Sequence, residues 1–144
     1  MLEVSSWSDK SEYHLGVISL SNESMEMYLE TVYLLENSHG HAHGVEVAKR
    51  LGVSKPSVTK AINYLNDQGL VNKQKYGTIT LTEKGREISE GIYINHKLIE
   101  LFLEHSLELS AEEASINACK MEHVTSDKML EAIKRYLEKN NINT

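Results

Sequence analysis

The chain has 144 residues but one cysteine, one proline, one tryptophan and one phenylalanine. A lone cysteine cannot form a disulfide within the chain, which is typical of a protein in a reducing compartment. No apolar run approaches the roughly 18 to 20 residues that a membrane-spanning helix needs. The N-terminus lacks the basic stretch and following apolar stretch of a secretory signal. These absences predict a soluble, cytoplasmic protein.

Acidic residues outnumber basic ones, yet the middle of the chain is basic. The net charge is −6, which by itself argues against nucleic-acid binding. Between positions 49 and 86, however, eight basic and two acidic residues give +6, so the remainder carries −12. We therefore expect one lobe that faces an anionic surface such as a phosphate backbone, and a different task for the rest of the chain.

The first helical pattern begins near position 24. Residues 1–21 are Ser-rich and without a period, and we interpret them as a flexible N-terminal extension. In "SMEMYLETVYLLE" apolar residues recur at spacings of three and four, with Ser24 as the predicted N-cap. The following "HGHAHG" breaks this helix. His39, His41 and His43 have the composition of a histidine-rich metal site, but we interpret the segment as a solvated turn between helices.

The segment "GVEVAKRLGVSKPSVTKAINYLNDQGLV" predicts a helix-turn-helix. A short helix that ends at Gly52 precedes a longer helix that Ser54 caps and that ends before Gly69. A hairpin with strands at residues 70–71 and 79–81 follows and predicts a wing. In such a motif the second helix enters the major groove of DNA.

The predicted DNA-binding residues are short polar or basic side chains near the start of the second helix, or basic side chains in the wing. Ser and Thr hydroxyls suit base edges and phosphates, and lysines suit phosphates. The alternative is a winged helix that contacts proteins alone. The candidates are Ser54, Lys55, Pro56, Ser57, Thr59, Lys60, Lys73 and Lys75.

The rest of the chain predicts further helices. A long helix covers residues 83–105, and two more helices begin after Ser110 and Ser126. The predicted fold is mainly α with a small β-hairpin wing: a winged helix-turn-helix domain over residues 22–92 and an all-α metal-binding and dimerisation domain over residues 93–144. The long helix has more apolar residues than a small lobe needs, which predicts a homodimer: Leu98, Ile99, Leu101, Phe102 and Leu103.

"ACKMEHVTSD" contains a cluster of metal-ligand types. On a helix, Cys119, Glu122 and His123 would share one face. A thiolate, a carboxylate and an imidazole suit a first-row divalent ion better than Mg²⁺ or Ca²⁺. The alternatives are a buried structural cysteine, an oxidisable thiol, or a nucleophile activated by His123; the last lacks an orienting partner, so we predict no enzyme. Two further pairs lie one turn apart on predicted helices: Met27 with Glu30, and His96 with Glu100.

Five motifs occur in order: "SMEMYLETVYLLE", "VEVAKRLGVSKPSVTKAINYLNDQGLV", "LTEKGREI", "HKLIELFLEH" and "ACKMEHVTSD". Together they resemble the diphtheria-toxin-repressor family of metal-dependent transcriptional repressors, which includes iron- and manganese-responsive members. The likeness covers residues 21–140. It implies a winged-helix domain and a helical dimerisation domain with metal bound between them, in a homodimer that binds double-stranded DNA.

The resemblance also implies the ligands of a principal metal site. Met27, Cys119, Glu122 and His123 match its positions in iron-type members. In manganese-type members the position of Met27 is an aspartate and that of Cys119 a glutamate, whereas Glu30 does match a manganese-type ligand. Because thioether and thiolate ligands are soft and Mn²⁺ prefers carboxylate and water, we expect Fe²⁺ as the sensed ion and Mn²⁺ as the alternative. Co²⁺, Ni²⁺ or Zn²⁺ should bind in vitro.

The resemblance also implies a neighbouring ancillary metal site, but only some of its ligands are matched in this chain. His96 and Glu100 match two of its ligands, and its third position, a histidine in iron-type members, is Ser115 here. Iron-type members draw further ancillary ligands from a C-terminal SH3-like domain, and we expect a two-domain form without one. The expected function is a metal-sensing transcriptional repressor. A winged-helix regulator that responds to a small ligand or to thiol oxidation is the alternative.

Overall fold

The fold described by a computed structural model is mainly helical with one small sheet, as predicted. The structure describes residues 22–144, so the predicted N-terminal extension lies outside the described residues. The chain divides into two compact units at the junction of Thr82 and Glu83. None of the described helices is both long enough and apolar enough to cross a membrane.

The first unit is a winged helix. Its elements are α1 Asn22–His39, β1 Ala42–His43, α2 Gly44–Leu51, α3 Lys55–Asp67, β2 Val71–Lys73 and β3 Thr78–Leu81. The sheet is antiparallel with the order β1-β3-β2, and a single 3₁₀ turn joins β2 to β3 at the tip of the wing.

Local sequence explains the turn between α2 and α3. Gly52 takes the left-handed conformation, with φ of 66°, and its N–H donates to the carbonyl of Ala48, which ends α2. Ser54 then accepts a hydrogen bond from the N–H of Ser57 at 3.2 Å and caps α3. Pro56 lies in the first turn of α3, where the N–H that it lacks has no helical partner. The predicted helix-turn-helix is thereby confirmed.

Two predictions about the first unit are wrong. Ser24 is not an N-cap, because α1 already begins at Asn22. The segment "HGHAHG" is not simply a turn, since Ala42 pairs with Ile79 and His43 with Thr78 as a third strand. A strand of two residues is too short to show the alternation by which strands are recognised in a sequence.

The second unit is a bundle of three helices: α4 Glu83–Leu107, α5 Ala111–Met121 and α6 Asp127–Lys139. Ser110 and Ser126 cap α5 and α6 as predicted, each accepting a hydrogen bond from the N–H three residues later. The predicted domain limit at residues 92 and 93 lies within α4 and stays a prediction. The buried core of the unit is Ile99, Leu103, Ala114, Ala118, Ile133 and Leu137.

The apolar residues of α4 that we expected at a dimer face pack into the core of their own unit. Ile99 and Leu103 are buried, and Leu98, Leu101 and Phe102 are partly buried against the same core. The excess of apolar residues is therefore used within the three-helix bundle. Other apolar side chains of this unit are exposed: Tyr93, Ile94, Leu107, Ile116, Val124 and Met129.

Replacing Leu137 by alanine is expected to lower the free energy of unfolding of the second unit by about 2–5 kcal/mol, because a fully buried leucine leaves a cavity. Met129→Ala on the same helix is the control. Met129 is 43% exposed, and its loss should cost about 0.5 kcal/mol or less. Urea unfolding followed by circular dichroism measures both losses. Equal losses would contradict a packed core at Leu137.

Candidate metal centre and nucleic-acid interface

The candidate metal centre of the second unit lies where α5 ends against the middle of α4. His96 is on α4, and Cys119 is in the last turn of α5. Because α5 ends at Met121, Glu122 is its C-cap residue and His123 follows in a turn. The expectation that one helix face holds all three ligands of "ACKMEHVTSD" is therefore wrong.

A buried carboxylate joins the two histidines of this centre. Glu122 is 5% exposed, and one of its oxygens lies 2.7 Å from Nδ1 of His96. Its other oxygen lies 3.2 Å from Nε2 of His123, which is also buried. Taking a charge out of water is costly unless it is paired and hydrogen-bonded. The 2.7 Å contact with His96 is a hydrogen bond, whereas the 3.2 Å contact with His123 is not, so this carboxylate positions His96.

Cys119 supplies a sulfur at the edge of this cluster. Its side chain is exposed, whereas His96 and Glu122 are buried. One potential ligand atom from each of these three residues lies within 4.8 Å of the others. Zn²⁺, for comparison, binds sulfur at about 2.3 Å and nitrogen at about 2.0–2.1 Å, so these ligand atoms would have to move closer together to surround one ion. A set of sulfur, nitrogen and carboxylate oxygen thus fits a borderline divalent ion.

The ancillary candidates lie on the other side of the same imidazole. Nε2 of His96 is 3.8 Å from a carboxylate oxygen of Glu100 and 3.4 Å from the hydroxyl of Ser115. That same Glu100 oxygen accepts a hydrogen bond from Nζ of Lys97 at 2.8 Å. This hydrogen bond raises the pKa of Lys97, against an opposing effect of burial. Lys97 is therefore already paired with the Glu100 carboxylate that an ion at the ancillary site would need as a ligand.

Lys97 was missed by sequence reasoning, although a signal was present. Lysine and glutamate three residues apart on a helix commonly pair, and Lys97 and Glu100 have that spacing.

The remaining candidates, Met27 and Glu30, lie on α1 in the first unit. Glu30 is buried, whereas Met27 is 40% exposed.

The predicted DNA-binding residues of α3 form an exposed polar edge. Ser54, Lys55, Ser57, Thr59 and Lys60 are all exposed, as is Pro56. Their hydroxyls already make local hydrogen bonds: Ser54 and Ser57 lie 2.8 Å apart, and Thr59 donates to the carbonyl of Lys55 at 3.1 Å. These contacts hold the side chains along the start of the helix.

The wing is fastened to both helices that flank it. Nζ of Lys73 on β2 donates to the side-chain carbonyl of Asn63 on α3 at 2.8 Å, while Lys75 at the tip is exposed. On the other side, a carboxylate oxygen of Glu36 on α1 accepts the N–H of Leu81 at 2.7 Å. A groove of about 520 Å³ lies between α3 and the wing. The predicted recognition helix and wing thus share one concave face.

Two family models match the chain in the order of its two units. Residues 21–79 match the N-terminal DNA-binding domain of iron-dependent repressors, and residues 82–143 match their metal-binding and dimerisation domain. The chain belongs to the iron-dependent repressor family of DNA-binding, metal-dependent transcriptional regulators. This confirms the resemblance inferred from the five motifs.

Among the similar proteins, one is named for iron and another for manganese. The chain is 40% identical over 119 residues to an HTH-type transcriptional regulator of Methanocaldococcus jannaschii, covering 82% of this chain and 95% of that protein. It is 33% identical over 105 residues to the iron-dependent repressor IdeR of Mycobacterium tuberculosis, and the match covers 73% of this chain and 46% of IdeR. The structure of a manganese-dependent transcriptional repressor in complex with manganese superposes on this chain with a TM-score of 0.73 and 30% sequence identity. The match covers 79% of this chain and 52% of that protein. The chain spans about half the length of these last two proteins.

Replacing Lys97 by alanine is expected to strengthen binding of a divalent ion at His96 and Glu100. The reason is that the carboxylate loses a competing cation, and an exposed pair of this kind is worth about 0.2–1 kcal/mol, or up to about fivefold in affinity. Mn²⁺ titration followed by electron paramagnetic resonance measures the change. Lys134→Ala removes an equal charge on exposed α6 and is the control. Equal affinities in the two variants would show that Lys97 does not compete with the ion.

Proposed function

We propose that the protein is a metal-sensing transcriptional repressor whose binding to operator DNA is promoted by a divalent ion. The observation that carries the proposal is the buried carboxylate of Glu122 with an imidazole on each oxygen and the sulfur of Cys119 nearby. Such a set of donors is unusual for a purely structural contact, because a buried acid is most simply paired with one base. It suits an ion that binds both imidazole and thiolate.

We further propose that Met27 and Glu30 of α1 complete the principal site. Their support is the family pattern, in which the ligands come from both domains, together with the donor chemistry of a thioether and a carboxylate one turn apart. An ion bound by both units supplies a cross-link between them. With the ion bound, the recognition helix would keep one orientation relative to the second unit. Metal binding would then strengthen DNA binding, and DNA binding would strengthen metal binding to the same degree.

Fe²⁺ is the proposed sensed ion, and Mn²⁺ is the alternative. The sulfur atoms of Met27 and Cys119 favour Fe²⁺, since Mn²⁺ prefers oxygen ligands. Glu30 and Glu100 favour Mn²⁺ on the same grounds. The iron named in one relative and the manganese named in another are both compatible with this mixed set.

The proposed DNA-binding form is a homodimer. Two recognition helices must lie about one turn of DNA apart, or a multiple of it, to dock in successive major grooves. The second unit exposes several large apolar side chains, including Ile94, Leu107 and Ile116, that a partner copy would cover. The basic, exposed start of α3 and the wing lysines supply the face toward phosphates.

Glu122→Ala and His123→Ala are each expected to abolish metal-stimulated DNA binding, because each removes a proposed ligand. Fluorescence anisotropy with DNA from upstream of the protein's own gene measures this under anaerobic conditions, with chelator, Fe²⁺ or Mn²⁺. Glu138→Ala and His105→Ala change the same residue types at exposed positions and should keep the response.

The outcomes of this titration separate the candidate functions. Stimulation by Fe²⁺ at a lower concentration than by Mn²⁺ supports the iron assignment, and the reverse order supports the manganese alternative. Full stimulation in both ligand variants would refute the proposed site. Binding that ignores metal but is lost on oxidation would favour the thiol-responsive alternative, for which the exposure of Cys119 is the specific observation.

Lys60→Ala and Lys75→Ala are expected to weaken binding to every DNA sequence alike, because these exposed lysines are proposed to contact phosphates. Each should reduce the slope of log K against log salt concentration by about 0.9. Binding isotherms at several salt concentrations give this slope. Lys139→Ala in the second unit is the matched control and should leave it unchanged; an unchanged slope in all three variants would exclude the proposed DNA face.

A further inference from the structure

The segment "HGHAHG" gathers three imidazoles at a junction of the winged-helix unit. His39 is the last residue of α1, His43 is in β1, and α2 begins at Gly44. His41 and His43 flank Ala42, which is fully buried. Because successive side chains of an extended segment point to opposite faces, both histidines lie on the face away from that buried alanine.

The rings of His39 and His43 each contact the ring of His41. The ring centroids of His39 and His41 are 5.3 Å apart, and those of His41 and His43 are 4.7 Å apart. Both pairs pack edge to face. The side chain of His39 is 40% exposed, and the other two rings are partly buried, so an ion from solvent can reach the cluster.

A carboxylate holds this cluster from the start of α2. One oxygen of Glu46 accepts the backbone N–H of His43 at 3.1 Å, which fixes the side chain at the first turn of the helix. Its other oxygen lies 3.0 Å from Nε2 of His39. A histidine that binds a metal through one ring nitrogen commonly donates its other N–H to a carboxylate. In that arrangement the Nδ1 of His39 presents a lone pair.

We propose that His39, His41 and His43 form a second transition-metal site, with Glu46 as the carboxylate that positions His39. Three imidazoles suit Zn²⁺, Ni²⁺, Co²⁺ or Cu²⁺ and do not suit Mn²⁺, Mg²⁺ or Ca²⁺, which prefer oxygen. The backbone of this segment is held in place by pairing with β3 and by the hydrogen bond of the His43 N–H to Glu46. The site goes beyond the proposed function, because it lies in the first unit and shares no ligand with the cluster around Glu122.

The number of Zn²⁺ ions bound per chain tests this site. Equilibrium dialysis of the full chain against micromolar Zn²⁺, followed by elemental analysis, is carried out on Glu122→Ala/His123→Ala, which removes two proposed ligands of the first cluster. This double variant should still bind one Zn²⁺. Addition of His41→Ala should remove that ion, whereas addition of His105→Ala, at an exposed histidine of α4, should retain it.

Two further measurements keep the test independent of folding defects. In the otherwise unaltered chain, ¹⁵N NMR of the imidazoles should show shifts of His39, His41 and His43 with Zn²⁺ and none with equimolar Mg²⁺. Glu46→Gln keeps the shape of the side chain and should weaken Zn²⁺ binding by roughly 10- to 100-fold. Equal Zn²⁺ binding with and without His41, or unshifted imidazoles in the unaltered chain, would overturn the proposal. Failure of metal-stimulated DNA binding would leave it standing.

Discussion

The buried carboxylate of Glu122, with an imidazole beside each oxygen, is the feature around which the candidate metal centre of the second unit is built. It joins His96 in the middle of α4 to the turn after α5, where His123 lies. A buried carboxylate with no partner would cost several kcal/mol, and the hydrogen bond from His96 offsets part of that cost. The core residues Ile99 and Ala118, both fully buried, keep these two helices in place and thereby set the positions of the ligands.

The winged-helix unit meets a different constraint, since its function requires an exposed recognition helix on a small sheet. The wing has one two-stranded hairpin, which alone would be marginally stable in water. Three contacts compensate: β1 adds a third strand, Glu36 accepts the N–H of Leu81, and Lys73 donates to Asn63 of α3. The last contact ties a lysine of β2 directly to α3. The wing and α3 therefore present their charges as one surface.

Much of this fold could be predicted from local sequence, because its boundaries are set by side chains that act within one turn. Gly52, Ser54 and Ser126 are recognisable caps, and the structure confirms each of them. The strand β1 could not be predicted, because its pairing partner lies more than thirty residues away and its two residues carry no period. The residues of the candidate metal site were proposed from composition and family pattern and stay a prediction; their geometry could not be predicted. That geometry depends on where α5 ends, and a helix terminus without a glycine or proline leaves little trace in the sequence.

The ancillary position illustrates how one substitution changes the chemistry of its neighbours. Where the family pattern has a third imidazole, Ser115 offers a hydroxyl at 3.4 Å from His96. A neutral hydroxyl is a weak ligand for a first-row ion compared with an imidazole, and Glu100 is at the same time paired with Lys97. Both of the partners that His96 would need on this side are thus weakened or engaged. On the side of Glu122, in contrast, the carboxylate is buried and lies 2.7 Å from Nδ1 of His96. Because a neutral imidazole has a lone pair on only one ring nitrogen, His96 can offer a ligand atom to one of these two sides at a time.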